Sequence, residues 1–479
     1  RATAESSIAI SCLEFLIGRN ALSIRLGRHS IGNSGRHCLL CFAVLMILIA
    51  GLRFISPLNK ASDSLADVSH VTMAETHETI ALTHPMKEFR FQSIRPGDHN
   101  LSTYSAFHDR RDSSSRPVVR VLAVALLGGG GKVLCQLWYR RAASVMAAVP
   151  AEIEVMPDGE GQSYESWLIS CKNPAADGEV PYAVSFVRSA CGQPHAVHPV
   201  IPLPSEPVRN GRFAVCMSPL QSKYDKVDEL VQTLELNRLF GADHFFVYKH
   251  STSRRVTELL SNKHFASDVT VLPFHPPLKV DGKTKSSDSA EEVKYYGTIV
   301  MLQDCVLRTA AQYEFVVSTD TDEVIVPRGE GFRSWRDLTR AFMSDGSIGG
   351  LLFQNSFFRL EWPSDPGVSA NTTISGLKLN TLLKLNREAE VHVHGSRSKM
   401  IIKPHFVLML GVNYVWQYLN ERNTEFIKYN VAGLHHYSIG GSKEMHRDDY
   451  VRDPLMLRYR EQLVAKVLQA RTALGLPVS

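Results

Sequence analysis

Glu314-Phe315-Val316-Val317-Ser318-Thr319-Asp320-Thr321-Asp322-Glu323-Val324-Ile325-Val326-Pro327 decides how this chain is read. An apolar, β-rich run leads into three carboxylates, and a second apolar run closes on a proline. The pattern predicts a buried strand that delivers its acids to an exposed C-terminal edge, where α/β sheets place their ligands. Two aspartates one residue apart suit a hard divalent cation, and a cation held by few protein carboxylates keeps positions open for phosphate oxygens. An isolated Asp-x-Asp is as readily an Asx-turn or a helix cap. The apolar lead-in and the third acid, Glu323, favour chemistry here.

Around this stretch β and α patterns alternate. Arg212 to Met217 predicts a strand. Lys226 to Leu239 carries Val227, Leu230, Val231, Leu234 and Leu239 at helical spacing, and Gly241 ends the helix. A strand over His244–Tyr248, a helix over Arg255–Leu260, a strand over Val269–Phe274 and a long helix over Glu291–Ala311 follow. Such alternation implies an α/β domain with a mostly parallel sheet and flanking helices, expected over 208–460, with a C-terminal helix or tail at 461–479. Val118–Val124 and Val180–Val187 read as strands of a β-rich N-terminal region, 118–207. Gly128 to Gly131, followed by Lys132, lacks the wider phosphate-loop spacing and reads as a flexible turn.

The 479 residues are 44% hydrophobic and 21% charged, enough for a sizeable core in one large or two ordinary domains. The net charge of +5 is spread over scattered basic residues, which leaves no footprint for nucleic acid. Residues 1–37 carry Arg19, Arg25, Arg28 and Arg36 against only Glu5 and Glu14. Residues 38–52 are an apolar run a little short of the ~20 that span a bilayer, and snorkelling by Arg53 extends the usable span to 55. Basic residues before the run and few after it predict a type II membrane anchor rather than a cleaved signal peptide. Residues 56–117, rich in Ser, Thr, His, Asp and Arg, read as a solvated stem. Asn100-Leu101-Ser102 and Asn371-Thr372-Thr373 fit the N-glycosylation pattern, consistent with a lumenal body. Cys12, Cys38 and Cys41 lie in or before the apolar run. The other five cysteines, Cys135, Cys171, Cys191, Cys216 and Cys305, lack zinc-site spacing. An oxidising lumen allows them up to two disulfides, with the connectivity open.

Several blocks then occur in a telling order: Leu234 to Tyr248, Gln303-Asp304-Cys305 with Arg308, Asp320 to Glu323 with Pro327, Lys399 to Pro404, and His436-Tyr437. Together, from about Phe213 to Arg447, they make the chain resemble glycosyltransferase family 92. The resemblance implies a GT-A-like (Rossmann-like) fold and a Golgi membrane enzyme. It implies inverting transfer of galactose from UDP-galactose to a glycan or glycoprotein, with Mn2+ as cofactor. By the same resemblance Asp320 and Asp322 are metal candidates, Asp322 the more direct, and His436 or its neighbour His435 is a later ligand. Asp304, Arg308, Asp320 and Lys399 become donor-binding candidates. From spacing alone Arg308 reads as an intrahelical partner of Asp304 before it reads as a donor contact. Lys399 and Lys403 either neutralise a diphosphate or flank a buried strand. An inverting enzyme needs a carboxylate base. Glu361, Asp365, Glu421 and Glu425 lie in the plausible region, and the sequence does not choose among them.

The chain departs from the family pattern at Ser318 and Thr319, where aromatic or aliphatic residues are usual. It also has Asn413 where a histidine is common, and Ser438 where arginine often follows His-Tyr. These departures leave room for a different acceptor, or for a catalytically weak or inactive lumenal binding protein. Asp320 to Val324 also fits the nucleophile motif of haloacid-dehalogenase-type phosphohydrolases, with Lys399 and Asp448-Asp449 as its other members. That motif normally opens its domain, whereas here a long α/β stretch precedes it.

Overall fold

A computed structural model of the chain describes residues 90–94, 101–112, 114–126, 132–140, 146–157, 164–175, 178–189, 192–277, 289–440 and 450–477. The 38–55 run, Gly128 to Gly131, Asn100, Cys191 and Asp448-Asp449 lie outside them. Among the described residues no helix is long and apolar enough to cross a membrane. One compact unit comprises 86–140, 146–188 and 194–479. A second unit, 1–85 with 141–145 and 189–193, lies almost wholly outside the described residues.

The larger unit begins with eight strands: β1 (Gln92–Ser93), β2 (Leu101–Asp109), β3 (Val118–Leu126), β4 (Leu134–Trp138), β5 (Met146–Val155), β6 (Tyr164–Lys172), β7 (Ala183–Val187) and β8 (Val197–Pro202). Their order is β1-β2-β3-β6-β5-β4-β7-β8, and β8 returns to pair with β2, which closes a barrel. Closure removes the exposed sheet edges that invite aggregation. A disulfide between Cys135 and Cys171 joins β4 to β6. The stem expected over 56–117 is corrected at 101–109. That polar-looking segment is a fully buried strand in which Thr103 bonds His198 of the neighbouring β8 at 2.7 Å and Asp109 is paired with Arg111 and Arg120.

The α/β part follows: β9 (Phe213–Leu220), α1 (Val227–Phe240), β10 (Ala242–Lys249), α2 (Arg254–Ser261), β11 (Val269–Pro273), α3 (Ser289–Thr309), β12 (Phe315–Thr319), β13 (Glu323–Pro327), α4 (Trp335–Phe342), β14 (Ile348–Phe353) and β15 (Asn355–Arg359). Then come β16 (Asn386–Glu388), β17 (Lys399–Ile402), β18 (Val407–Leu410), β19 (Val415–Tyr418), β20 (Asn423–Ile427), β21 (Ala432–Ser438), β22 (Tyr450–Arg452) and the C-terminal helix α5 (Arg460–Ala473). The helix stops follow local chemistry. Gly241 after α1 adopts φ 120°, open to glycine, while Ser334 and Asp337 form a reciprocal capping box on α4.

The main sheet runs β11-β10-β9-β12-β17-β14-β20. β11, β10, β9 and β12 are parallel, but β17 is antiparallel to both β12 and β14. The mostly parallel sheet expected from the alternation is therefore corrected to a mixed one. The second apolar run after the acids does not extend this sheet. It leaves as β13 to form a separate sheet, β13-β21-β15. The acidic turn thus sits where two sheets diverge. A second disulfide, Cys216–Cys305, ties β9 to α3. Buried Gln303 on α3 holds β18 by bonds to Leu408 and Leu410.

One buried arginine joins barrel and α/β part. Arg111, its side chain wholly buried, pairs with Asp109 at 2.8 Å and donates to the carbonyls of Pro404, His405 and Val407. Burial would raise the Asp109 carboxyl, but bonds and charge from Arg111 and Arg120 outweigh it and hold it well below its ordinary 3.8. Arg111→Met removes one of the two charge partners of Asp109 and leaves the carbonyls of Pro404, His405 and Val407 without this donor, so it should cost about 3–5 kcal/mol in a urea titration. Because the folded carboxyl is depressed, its contribution is present above 3.8 and lost as pH falls. Between about pH 5 and pH 3 the wild type should therefore lose more stability than Asp109→Asn. A cost below about 1 kcal/mol for Arg111→Met would show that this bridge does not hold the two parts together.

Candidate functional site

The turn Asp320–Glu323 is pinned from every side. Ser218, just inside the end of β9, donates its hydroxyl to Asp320. That pairing follows from register, since Met217 lies beside Thr319. The Asp320 N–H donates to Glu323 at 3.2 Å, and the Thr319 hydroxyl donates to the Glu323 carbonyl at 3.0 Å. From α1, Glu229 accepts the Thr321 hydroxyl at 2.9 Å, and the Thr233 hydroxyl donates to the Thr321 carbonyl. The Asp322 carbonyl accepts Tyr437 N–H from β21 at 2.8 Å. With its backbone so committed, the turn leaves the Asp322 side chain 27% exposed.

Lys399 supplies the positive charge. As the first residue of β17, antiparallel to β12, it arises beside the end of β12. Its side chain is 6% exposed, and its ammonium lies 3.1 Å from Asp320 and 3.3 Å from Glu323. Burial opposes its charge, yet the two carboxylates raise its pKa above the usual lysine value. Burial likewise pushes Asp320 up, but Lys399 and the Ser218 bond outweigh it and hold the carboxyl at about 2. Glu323, fully enclosed, is raised by burial, which the Lys399 charge only partly offsets. His436 stands opposite Glu323 in the β13–β21 pairing, with Nδ1 3.2 Å from Glu323 and Nε2 3.5 Å from Asp322. Burial works against its charge, and these carboxylates raise its pKa nonetheless.

These groups open onto a cavity of about 680 Å³, in the range of small-molecule sites. Its other walls are the loop after β9, with Gln221, Tyr224 and Lys226, and the segments Gly395–Arg397 and Val412–Asn413. Ser218, Tyr224 and Arg397 were missed in the sequence. No local pattern marks them, because only the folded β9–β12 and β17 ends bring them to the acids.

The structure brings together Asp320, Asp322, Lys399 and His436 and sends the other candidates elsewhere. His435, on the opposite face of β21, is wholly buried against Arg328, and burial lowers its pKa to about 3. Asp304 is fully buried, pairs with Arg308 at 2.8 Å, accepts the Tyr248 hydroxyl and does not line the cavity. Arg308 lies over the Phe107 ring of the barrel. Lys403, at the far end of β17, donates to the Met343 carbonyl. Of the proposed bases, Glu361 accepts Gly440 N–H, and Asp365 caps a short helix and pairs with Arg452. Neither they nor Glu421 and Glu425 line the cavity. Since Lys399 is the one buried cation paired with both Asp320 and Glu323 among the described residues, Lys399→Met should cost about 3–5 kcal/mol of stability by denaturant titration. A cost within about 0.5 kcal/mol of wild type would show that the three charges are not interdependent.

Comparison with known proteins places this geometry in a family. The profile of Glycosyltransferase family 92 matches residues 211–463. The beta-1,4-galactosyltransferase galt-1 of Caenorhabditis elegans is 18% identical over 385 residues, 79% of this chain and 82% of its own. Among solved structures, glucosyl-3-phosphoglycerate synthase from Mycobacterium tuberculosis, in complex with Mn2+, uridine diphosphate and glucosyl-3-phosphoglycerate, is 11% identical over 56% of this chain and 81% of its own, with a TM-score of 0.21. The same synthase with Mg2+ and uridine diphosphate is 11% identical over 56% and 80%, with a TM-score of 0.22. Scores this low carry no structural argument. The profile match, which covers more than half of the chain and includes every residue of the acidic turn, shows that the protein belongs to glycosyltransferase family 92.

Proposed function

We propose that the cavity binds a UDP-sugar and transfers the sugar, galactose by preference, to a glycan or glycoprotein hydroxyl with inversion. The observation that carries this reading is the Asp322 carboxylate facing a cavity whose rim also carries Lys226 and Arg397, in a family 92 chain. In the transfer, the bond from the anomeric carbon to the β-phosphate oxygen breaks and its electron pair stays on that oxygen. The acceptor oxygen bonds to the same carbon and gives its proton to a base. The donor set suits a divalent cation, with Mn2+ the preferred ion. Asp322 is accessible, Asp320 keeps 32% of its side chain exposed, and His436 lies beside both. Among the described residues no three such side chains are grouped so as to hold a cation by themselves, so phosphate oxygens of the donor would have to complete its coordination. A bound cation would supply Lewis-acid stabilisation of the departing diphosphate. Asp322 would be its direct protein ligand. Asp320 would orient it while tied to Lys399, and His436 would fix the Asp322 carboxylate.

We further propose a Golgi location, with the body lumenal behind an anchor at 38–55. Two disulfides and the exposed sequon Asn371, whose side chain caps a short helix, support it. Protease added to sealed microsomes should spare the body, and glycosidase should reduce its mass. Digestion without detergent would contradict this topology. For the chemistry, Asp322→Asn keeps the shape of the turn, so melting should shift little. Sugar transfer should fall on the order of 10²-fold or more, with weaker Mn2+-dependent binding of uridine diphosphate. Wild-type turnover by this variant at limiting Mn2+ would refute the assignment, and wild-type nucleotide binding without any turnover would point to a binding protein.

A further inference from the structure

We infer that Arg397 is the diphosphate-binding residue of this cavity, an inference that rests on the nucleotide-sugar reading above. Three cations line the cavity: Lys226, Arg397 and Lys399. Lys399 is enclosed between Asp320 and Glu323 and has no charge to spare. Lys226 is paired with Glu229 at 3.0 Å. Among the described residues no carboxylate forms an ion pair with Arg397, and its side chain is exposed at the cavity wall. A doubly charged ligand entering beside Asp320 and Asp322 needs such a partner, because the acids themselves repel it.

The backbone points the same way. Arg397 adopts φ 56°, a left-handed conformation that costs a non-glycine residue about 1–2 kcal/mol. The short turn around it is fixed, since Gly395 N–H donates to the fully buried Ser398 hydroxyl at 3.0 Å and Ser396 N–H donates to the Val393 carbonyl. The guanidinium lies 5.4 Å from the centre of the Phe357 ring, and the Phe357 ring lies tilted against His436, 4.7 Å between centres. Phe357 thus links Arg397 to the histidine beside Asp322. On the same ring lies Arg359, but Glu388 neutralises it. The strained turn puts a planar fork of donors, suited to two phosphate oxygens at once, on the wall of the cavity that the carboxylates also line.

The strain supplies a clean test. Arg397→Gly removes the guanidinium and relieves the left-handed conformation, so the variant should melt no lower than wild type. Its affinity for uridine diphosphate with Mn2+, measured by calorimetry, should fall roughly 10- to 100-fold. Arg397→Lys keeps the charge but not the fork and should fall between the two. If wild type binds uridine diphosphate and Arg397→Gly binds it equally well, the inference is wrong while the donor reading stands. If wild type itself binds no nucleoside diphosphate with any divalent ion, the donor reading fails and takes this inference with it.

Discussion

The Lys399 ammonium between Asp320 and Glu323 is the interaction on which the site depends. An ammonium removed from water costs several kcal/mol unless carboxylates and hydrogen bonds compensate it. Here two carboxylates do so, and each is held in turn: Asp320 by Ser218, Glu323 by His436. The result is a set of mutually paired charges in the cavity and one aspartate, Asp322, that Lys399 does not tie down. Two of the three acids, Asp320 and Glu323, are therefore committed to Lys399, while Asp322 lines the cavity without that tie.

This arrangement requires the sheet to be mixed. Were β17 parallel to β12, the residue beside the end of β12 would be the last of its strand rather than the first. Antiparallel entry puts Lys399 at the acid end and Lys403 at the other end, against Met343. The departure of β13 into a second sheet matters equally, because it brings β21 and His436 across from Glu323. The barrel contributes at a distance. Its Arg111 fixes the carbonyls of the turn that joins β17 to β18, so the strand carrying Lys399 is braced from behind.

Much of the α/β part could be read from the chain alone. The strand and helix expected from Arg212 to Gly241 appear as β9 and α1, and the acidic run falls at the end of a buried strand. Other features rest on contacts between residues distant in sequence. Leu101–Asp109 contains Ser102, Thr103, Ser105 and His108, a solvated composition, yet barrel closure buries all four. The Asp304–Arg308 pair could be foreseen as an intrahelical bridge. Only the fold shows that it packs under Tyr248 and Phe107 instead of facing a donor. His435 and His436 are indistinguishable as a pair in sequence, and the alternation of a strand sends one to the core and one to the acids. Arg397 carries no sequence signal, since its role depends on a backbone angle and on which other cations are already spent.

The most direct test of the central claim is a crystal structure with Mn2+ and uridine diphosphate, with the metal located by its anomalous scattering. The account predicts the metal on Asp322 and Lys399 still lodged between Asp320 and Glu323. A metal bound elsewhere, or Lys399 swung out to the phosphates with Asp320 and Glu323 left unpaired, would contradict it.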